Sequence, residues 1–337
     1  MAVTLKDVAR LAEADVGSVS RTLSGHPRAQ QLRPETRERI LDAARKLGYR
    51  RNIFAAAMRS KINHTVAVIN TAGHIRMSPS ALRVLSGIIQ GASDAGYALK
   101  TYNDSDPASV IEDILANQIR HVLCMTPLHD KREQIALLCL QNDLKLVYVY
   151  ETAHGKFPAV SPDNFDVSRK VVRYLAEMGH RRIALICGEY QKWHYMTEKY
   201  NGYLAALKER GIMPRFEWIT CCVNPMNDIQ TMLSLPAPER PTAFFCIGDG
   251  FAMRVQNSAI RMGLRVPEDV SMTGFGNEAD QEDSLVPLSS VDEEHDRIGE
   301  EAFRLLINGQ SDLACDPDGT YRYPGKFICR SSVADLN

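Results

Sequence analysis

The chain runs to 337 residues, 45% of them hydrophobic and 24% charged, with a formal net charge of −1. That length exceeds one typical core, so at least two domains are expected, and the composition excludes a disordered or fibrous chain. No apolar run approaches the roughly 18–20 residues of a bilayer span, and residues 1–7 carry no apolar signal segment, so a cytoplasmic protein without a membrane partner is expected.

The eight cysteines (Cys124, Cys139, Cys187, Cys221, Cys222, Cys246, Cys315 and Cys329) form no C-x-x-C pair and no Cys/His zinc spacing. They read as reduced, mostly buried thiols, with no metal and no cofactor. The small net charge hides an asymmetry. Residues 1–62 carry 13 Lys and Arg against 6 Asp and Glu, while the remainder carries 27 against 35. A basic head on an acidic body suits contact with a polyanion, although a solvated basic face reads the same on charge alone.

In chain order, Thr4 stands where it can cap a short helix from Leu5 to about Ala12, with Leu5, Val8, Ala9 and Leu11 on its apolar side. Asp15 can cap a second, from Val16 to about Leu23, after a turn at Glu13-Ala14. Two short helices so joined make a helix-turn-helix, whose second member fits a major groove. Ser24-Gly25-His26-Pro27 breaks the chain, Pro34 opens a third helix running to about Leu47, and Gly48 ends it.

Three stretches, Thr4-Leu5-Lys6-Asp7-Val8-Ala9-Arg10-Leu11-Ala12, Val19-Ser20-Arg21 with Leu23, and Pro34-Glu35-Thr36-Arg37-Glu38-Arg39-Ile40 followed by Leu47-Gly48-Tyr49, carry a resemblance. In these residues the segment resembles the DNA-binding head of the lactose-repressor/galactose-repressor (LacI/GalR) family. The resemblance implies that Val16, Gly17 and Arg21 face base edges. A guanidinium can bond guanine O6 and N7 together, whereas Val16 offers only an apolar contact. Gly17 either lets the backbone approach the groove or marks a helix that reads fewer bases. Thr4, Ser18, Ser20, Ser24 and Tyr49 carry hydroxyls suited to phosphates, which position the head without reading sequence. This chain departs from the family at Glu13 and Asp15 in the turn, at Ala29-Gln30-Gln31, which looks like an insertion, and at Arg33 in place of a capping Ser or Thr.

Residues 49–62 are a short helix-capable stretch, too short to be stable alone. The resemblance implies a hinge helix that forms on the operator, with Asn52, Ala55 and Met58 at the DNA and Met58 as the apolar wedge in the minor groove. The plain alternative is a linker.

From Thr65 short apolar runs (66–69, 122–125, 146–149, 183–186, 243–247 and 270–274) alternate with helical segments near 81–95, 110–117, 165–178, 197–210 and 251–262. That alternation implies parallel sheets covered on both faces. A unit of helix, Gly and strand is expected at Gly96, Gly179, Gly211 and Gly263. The resemblance continues through Asp163-Asn164, Met178-Gly179-His180, Asn201-Gly202-Tyr203, Val266-Pro267-Glu268-Asp269-Val270, Gly274-Phe275 and Arg330-Ser331-Ser332. The implied fold is a two-lobed α/β core, similar to a periplasmic binding protein, behind an all-α helix-turn-helix head. The expected domains are a head at 1–48, a hinge at 49–62 and an effector-binding and dimerisation core at 63–337. Its N-lobe takes about 63–161 and 291–320, and its C-lobe 162–290 and 321–337. The implied partners are a pseudo-palindromic operator DNA, a small-molecule effector such as a sugar or sugar acid, and a second copy of the chain, as a homodimer or larger.

The implied effector contacts are Tyr150, Trp193, Lys199, Asp249 and Asn277. Lys199 stands where the family has an Arg, Gly248-Asp249 where it has Asn-Asp, and Gly276, followed by Asn277, where it has an Asp. Two side chains that commonly bond sugar hydroxyls are therefore absent. Trp193 and Tyr195 either stack on a ligand or pack against the lobes. An enzyme is not expected: G-x-S-x-G, H-E-x-x-H and P-loop motifs are all missing. Glu293-Glu294-His295-Asp296 is read as a solvated turn rather than an acid–base or metal cluster. A stand-alone binding module lacks a reason for the basic head, and loss of the effector site remains an alternative for the cleft.

Overall fold

The computed structural model describes residues 3–49, 63–71, 79–189, 193–222, 224–278 and 285–337. The chain divides into two compact units, Met1–His64 and Thr65–Asn337. The expected hinge contacts Asn52, Ala55 and Met58 lie outside the described residues.

In the head, α1 (Leu5–Leu11), α2 (Val16–Leu23) and α3 (Pro34–Leu47) enclose Val8, Ala9, Ala12, Val19, Ile40, Ala43 and Ala44. Asp15 caps α2 by accepting the Ser18 N–H at 2.9 Å. At α1 the roles invert. Thr4 occupies the cap position, but the Asp7 carboxylate accepts both its N–H at 2.9 Å and its hydroxyl at 2.7 Å. Ala29-Gln30-Gln31 falls in a 3₁₀ turn, Pro27–Gln31, anchored by the buried Ala29. Arg33 precedes α3 without a capping side-chain bond, and Gly48 ends it in the left-handed conformation.

The larger unit holds two sheets. One contains β1 (Thr65–Asn70), β2 (Ala98–Asn103), β3 (His121–Cys124), β4 (Lys145–Val149), β5 (Ala159–Pro162), β10 (Ala314–Cys315) and β11 (Thr320–Tyr323), in the order β10-β11-β5-β4-β3-β1-β2. The other contains β6 (Ile183–Ile186), β7 (Ala243–Cys246), β8 (Ser271–Phe275), β9 (Ser289–Asp292) and β12 (Lys326–Ile328), in the order β12-β9-β8-β7-β6. Alternate strand residues serve opposite faces, as a pleat requires. Val66, Val68, Leu123 and Val147 pack on α4 (Pro79–Asp94) and α11 (His295–Asn308). Their neighbours Ala67, Ile69, Val122 and Leu146 pack on α5 (Pro107–Ala116) and α6 (His129–Gln141). The second lobe repeats the plan. Leu185 and Phe245 meet α7 (Asn164–Glu177) and α8 (His194–Glu209), while Ala184 and Phe244 meet α9 (Met226–Ser234) and α10 (Asp249–Arg261).

The chain passes between the sheets three times, after β5, after β9 and after β11. These passages lie side by side: Tyr323 pairs with Pro162 at the end of one sheet, and Lys326 pairs with Asp292 at the start of the other.

Two expectations need correction. Gly211 and Gly263 do take positive φ after α8 and α10, but no strand follows directly: a 3₁₀ turn at Phe216–Trp218 comes after the first, and β8 begins only at Ser271 after the second. A glycine C-cap ends a helix without specifying what comes next. The thiols also divide: Cys124, Cys139, Cys187 and Cys246 are buried, whereas Cys221, Cys315 and Cys329 are exposed and Cys222 lies between.

Candidate DNA-binding face and effector cleft

On α2 the buried side is Ser18 and Val19, which turns Val16, 41% exposed, and the half-exposed Gly17, Ser20 and Arg21 away from the core. Arg21 folds back along its own helix and donates to Ser18 Oγ at 3.2 Å. A Cβ on Gly17 would stand 3.2 Å from Arg21 Nη1 and 3.0 Å from Asp15 Oδ1, so the glycine makes room for the guanidinium. Ser24 is exposed, its hydroxyl donating to the Arg21 carbonyl, and Tyr49 packs half-buried on the head core.

In the larger unit a cavity of about 480 Å³ opens between the lobes. Ser80, Val84, Met125 and Tyr150 line it from the first lobe, and Trp193, Tyr195, Lys199, Asp249, Phe251 and Phe275 from the second. Tyr150 follows β4 at φ +67°, a left-handed conformation that costs a side-chain-bearing residue about 1–3 kcal/mol and marks functional sites more often than others. Its ring stacks on His295 with centroids 5.4 Å apart and meets Tyr195 edge-on at 5.7 Å.

A buried polar network forms the cavity floor. Lys199 Nζ lies 3.2 Å from Glu293 Oε1, and its charge sits 4.0 Å from the centre of the Phe275 ring. Tyr150 donates its hydroxyl to Glu293 Oε1 at 2.9 Å, and His295 Nε2 lies 3.3 Å from Oε2. Burial alone would raise the Glu293 carboxyl, but Lys199, His295 and the Tyr150 hydroxyl outweigh it and hold the group down at about 2. Burial and the neighbouring Glu293 charge push the Tyr150 phenol well up.

Here the structure overturns the sequence expectation for residues 293–296. Glu293 and His295 are 1% and 0% exposed and belong to the site, because Glu293 follows β9 at a passage between the lobes and faces inward. A run of charged residues looks solvated in a single sequence, and only the ion pair with Lys199, nearly a hundred residues away, reveals otherwise.

Asp249, at the start of α10, is fully buried. Ser290 Oγ donates to its Oδ1 at 2.6 Å and the Glu278 N–H to its Oδ2 at 2.9 Å. Gly274 is what admits it, since a Cβ there would come within 2.1 Å of Oδ1. Asn277 stands beside the cavity, donating to Asp292 at 3.2 Å and accepting from Arg330 at 2.8 Å, and is not among the lining residues. Gly248 has an ordinary extended backbone with room for a Cβ, so its lack of a side chain enlarges the cavity without a conformational need.

Burial raises the Asp249 carboxyl to about 6, despite two hydrogen bonds that lower it. The folded state thus holds a proton that the unfolded chain releases near 3.8, so this group's contribution to stability falls as pH rises from about 4 to 6. Relative to the parent, Asp249→Asn should gain about 2 kcal/mol between pH 4.5 and 7. Urea melts of both proteins at the two pH values check this, and parallel pH dependence would refute it.

Comparison with known proteins agrees with this construction. Residues 4–52 match the bacterial regulatory proteins of the lacI family, and residues 172–333 match the periplasmic binding protein-like domain. The HTH-type transcriptional repressor PurR of Erwinia tasmaniensis is 28% identical over 341 residues, spanning 98% of this chain and 97% of that protein. PurR of Yersinia pestis (strain Pestoides F) is 29% identical with the same coverage. Among solved structures, the lac repressor dimer bound to operator and the anti-inducer ONPF shares the fold with TM-score 0.80 and 20% identity, over 99% of this chain and 100% of that one. The CelR–cellobiose complex gives TM-score 0.66 and 23% identity, over 98% and 99%. The chain thus joins a helix-turn-helix head of the lacI family of bacterial regulatory proteins to a two-lobed, periplasmic binding protein-like core.

Proposed function

We propose that this protein is a transcriptional repressor that binds a roughly palindromic operator as a homodimer and is controlled by a small molecule held between its lobes. The observation that carries the reading is a compact head exposing Val16, Gly17 and Arg21 on α2, on a chain that also encloses a 480 Å³ interlobe cavity. In this reading those three residues meet base edges, and Thr4, Ser20, Ser24 and Tyr49 serve the phosphate backbone, while Ser18, only 4% exposed, holds Arg21 from the buried side of α2 instead of reaching a phosphate. Asn52, Ala55 and Met58 are assigned to the minor groove. Tyr150, Trp193, Lys199 and Asp249 form the effector wall, and Asn277 orders the loop beside it.

The test is operator binding by fluorescence anisotropy across a salt series, with and without ligands selected by thermal shift. Affinity for the specific site should fall steeply and linearly on a log–log salt plot as counterions are released. A true effector should change operator affinity by a factor of about 5–150, and operator should change effector affinity by the same factor. Equal affinity for every DNA sequence would refute the repressor reading, and ligand binding indifferent to operator would remove the control.

A further inference from the structure

Among the described residues that line the cavity, the buried cation is already paired: Lys199 faces Glu293 at 3.2 Å, with side chains 3% and 2% exposed. Glu293 has little capacity left for a ligand, because Oε1 takes Tyr150 and Lys199 while Oε2 faces His295. Both Asp249 oxygens are likewise occupied, by Ser290 and the Glu278 N–H. Among the described residues, the remaining charged ones on the lining, Arg254 and Glu278, are exposed and half-buried respectively, of opposite sign, and open to solvent screening. The rest of the wall is largely apolar or aromatic, including Trp193, Tyr195, Phe251 and Phe275. An acidic ligand reaching Lys199 would have to displace Glu293 or place a second carboxylate or phosphate against it in a desolvated site. A flat uncharged ligand meets ring faces and loses little hydration.

We propose that the cleft selects an uncharged small molecule with a planar face, and that Glu293 is the specificity-determining residue that excludes anions by occupying Lys199. This rests on the effector reading above and narrows it, since sugar acids and phosphorylated metabolites drop out.

The test uses the full-length protein and matched probes differing by one charged group: nucleosides against their monophosphates, and hexoses against the corresponding hexuronates. Thermal shift and calorimetric titration should find binding by at least one neutral probe and binding at least tenfold weaker by its anionic partner. Glu293→Gln, which frees Lys199, should tighten anion binding at least tenfold, and Lys199→Met together with Glu293→Gln should remove that gain. The proposal is overturned if the parent protein prefers the anionic member of a pair, if no neutral probe binds, or if a cooperatively melting Glu293→Gln variant gains no anion affinity. Should the single variant fail to fold, the parent's ranking of each pair still decides. Neutral ligands that bind yet leave operator affinity unchanged would remove the regulatory reading and leave the selectivity intact.

Discussion

Gly87→Ala should destabilise the larger unit by more than about 3 kcal/mol, near the upper end for single substitutions. Helices α4 and α11 cross at two glycines. A Cβ on Gly87 would lie 1.7 Å from the Asp296 carbonyl oxygen, and one on Gly299 would lie 2.1 Å from the Val84 carbonyl oxygen. The obstacles are backbone atoms, so no side chain can rotate away, and the helices would have to separate. Separation would open the layer of Val84, Ile88, Ile298 and Ala302, all buried against the first sheet. It would also move Asp296, which holds Arg83 at 3.1 Å, and the adjacent His295 at the cavity floor. Urea denaturation should show the loss, and neutral-probe affinity should fall with it. A midpoint within experimental error of the parent's would mean that the crossing is looser than described.

Arg21→Ala should flatten the operator's sequence preference at one base pair in each half-site, at about 1–3 kcal/mol per contact. In a two-fold complex both half-sites lose it, so specific affinity should drop by roughly two orders of magnitude or more, while non-specific affinity falls little. The free head holds the guanidinium over Gly17 on Ser18 Oγ, and DNA must replace that 3.2 Å hydrogen bond. Binding assays against operators substituted at single positions separate the outcomes. A uniform loss across all sequences would make Arg21 a phosphate contact and move the reading of bases elsewhere on α2.

How much of this was legible beforehand follows from how local each signal is. The caps at Asp15 and Gly48 and the six apolar strands are written in contiguous residues, and each appears in the structure where the sequence places it. Strand β2 is not visible as an apolar run because it lies at the sheet edge, where every residue from Ala98 to Asn103 is exposed or half-buried and Lys100, Thr101 and Asn103 interrupt the hydrophobic ones. Strands β9 and β11 read Ser-Ser-Val-Asp and Thr-Tyr-Arg-Tyr, polar runs whose burial comes from neighbours distant in sequence. The site divides the same way. Lys199 is reached through the family resemblance and Tyr150 as an aromatic following a strand, whereas Glu293 and His295 escape both because their meaning lies in pairs 94 and 145 residues apart.

The three passages between the lobes lie next to one another, with Pro162 beside Tyr323 and Asp292 beside Lys326. Such an arrangement acts as a fulcrum: the lobes turn about it easily, but sliding them past each other would strain all three connections together. Displacement in a rotation grows with distance from the axis. Glu293 directly follows one passage, so the charge pair that sorts ligands sits where a turning motion carries atoms least. Helix surfaces far from the passages sweep the widest arc for the same angle. Recognition is thereby placed at the still point and mechanical output at the rim. Substitutions at the rim should retune how far the lobes travel without changing which molecule is admitted.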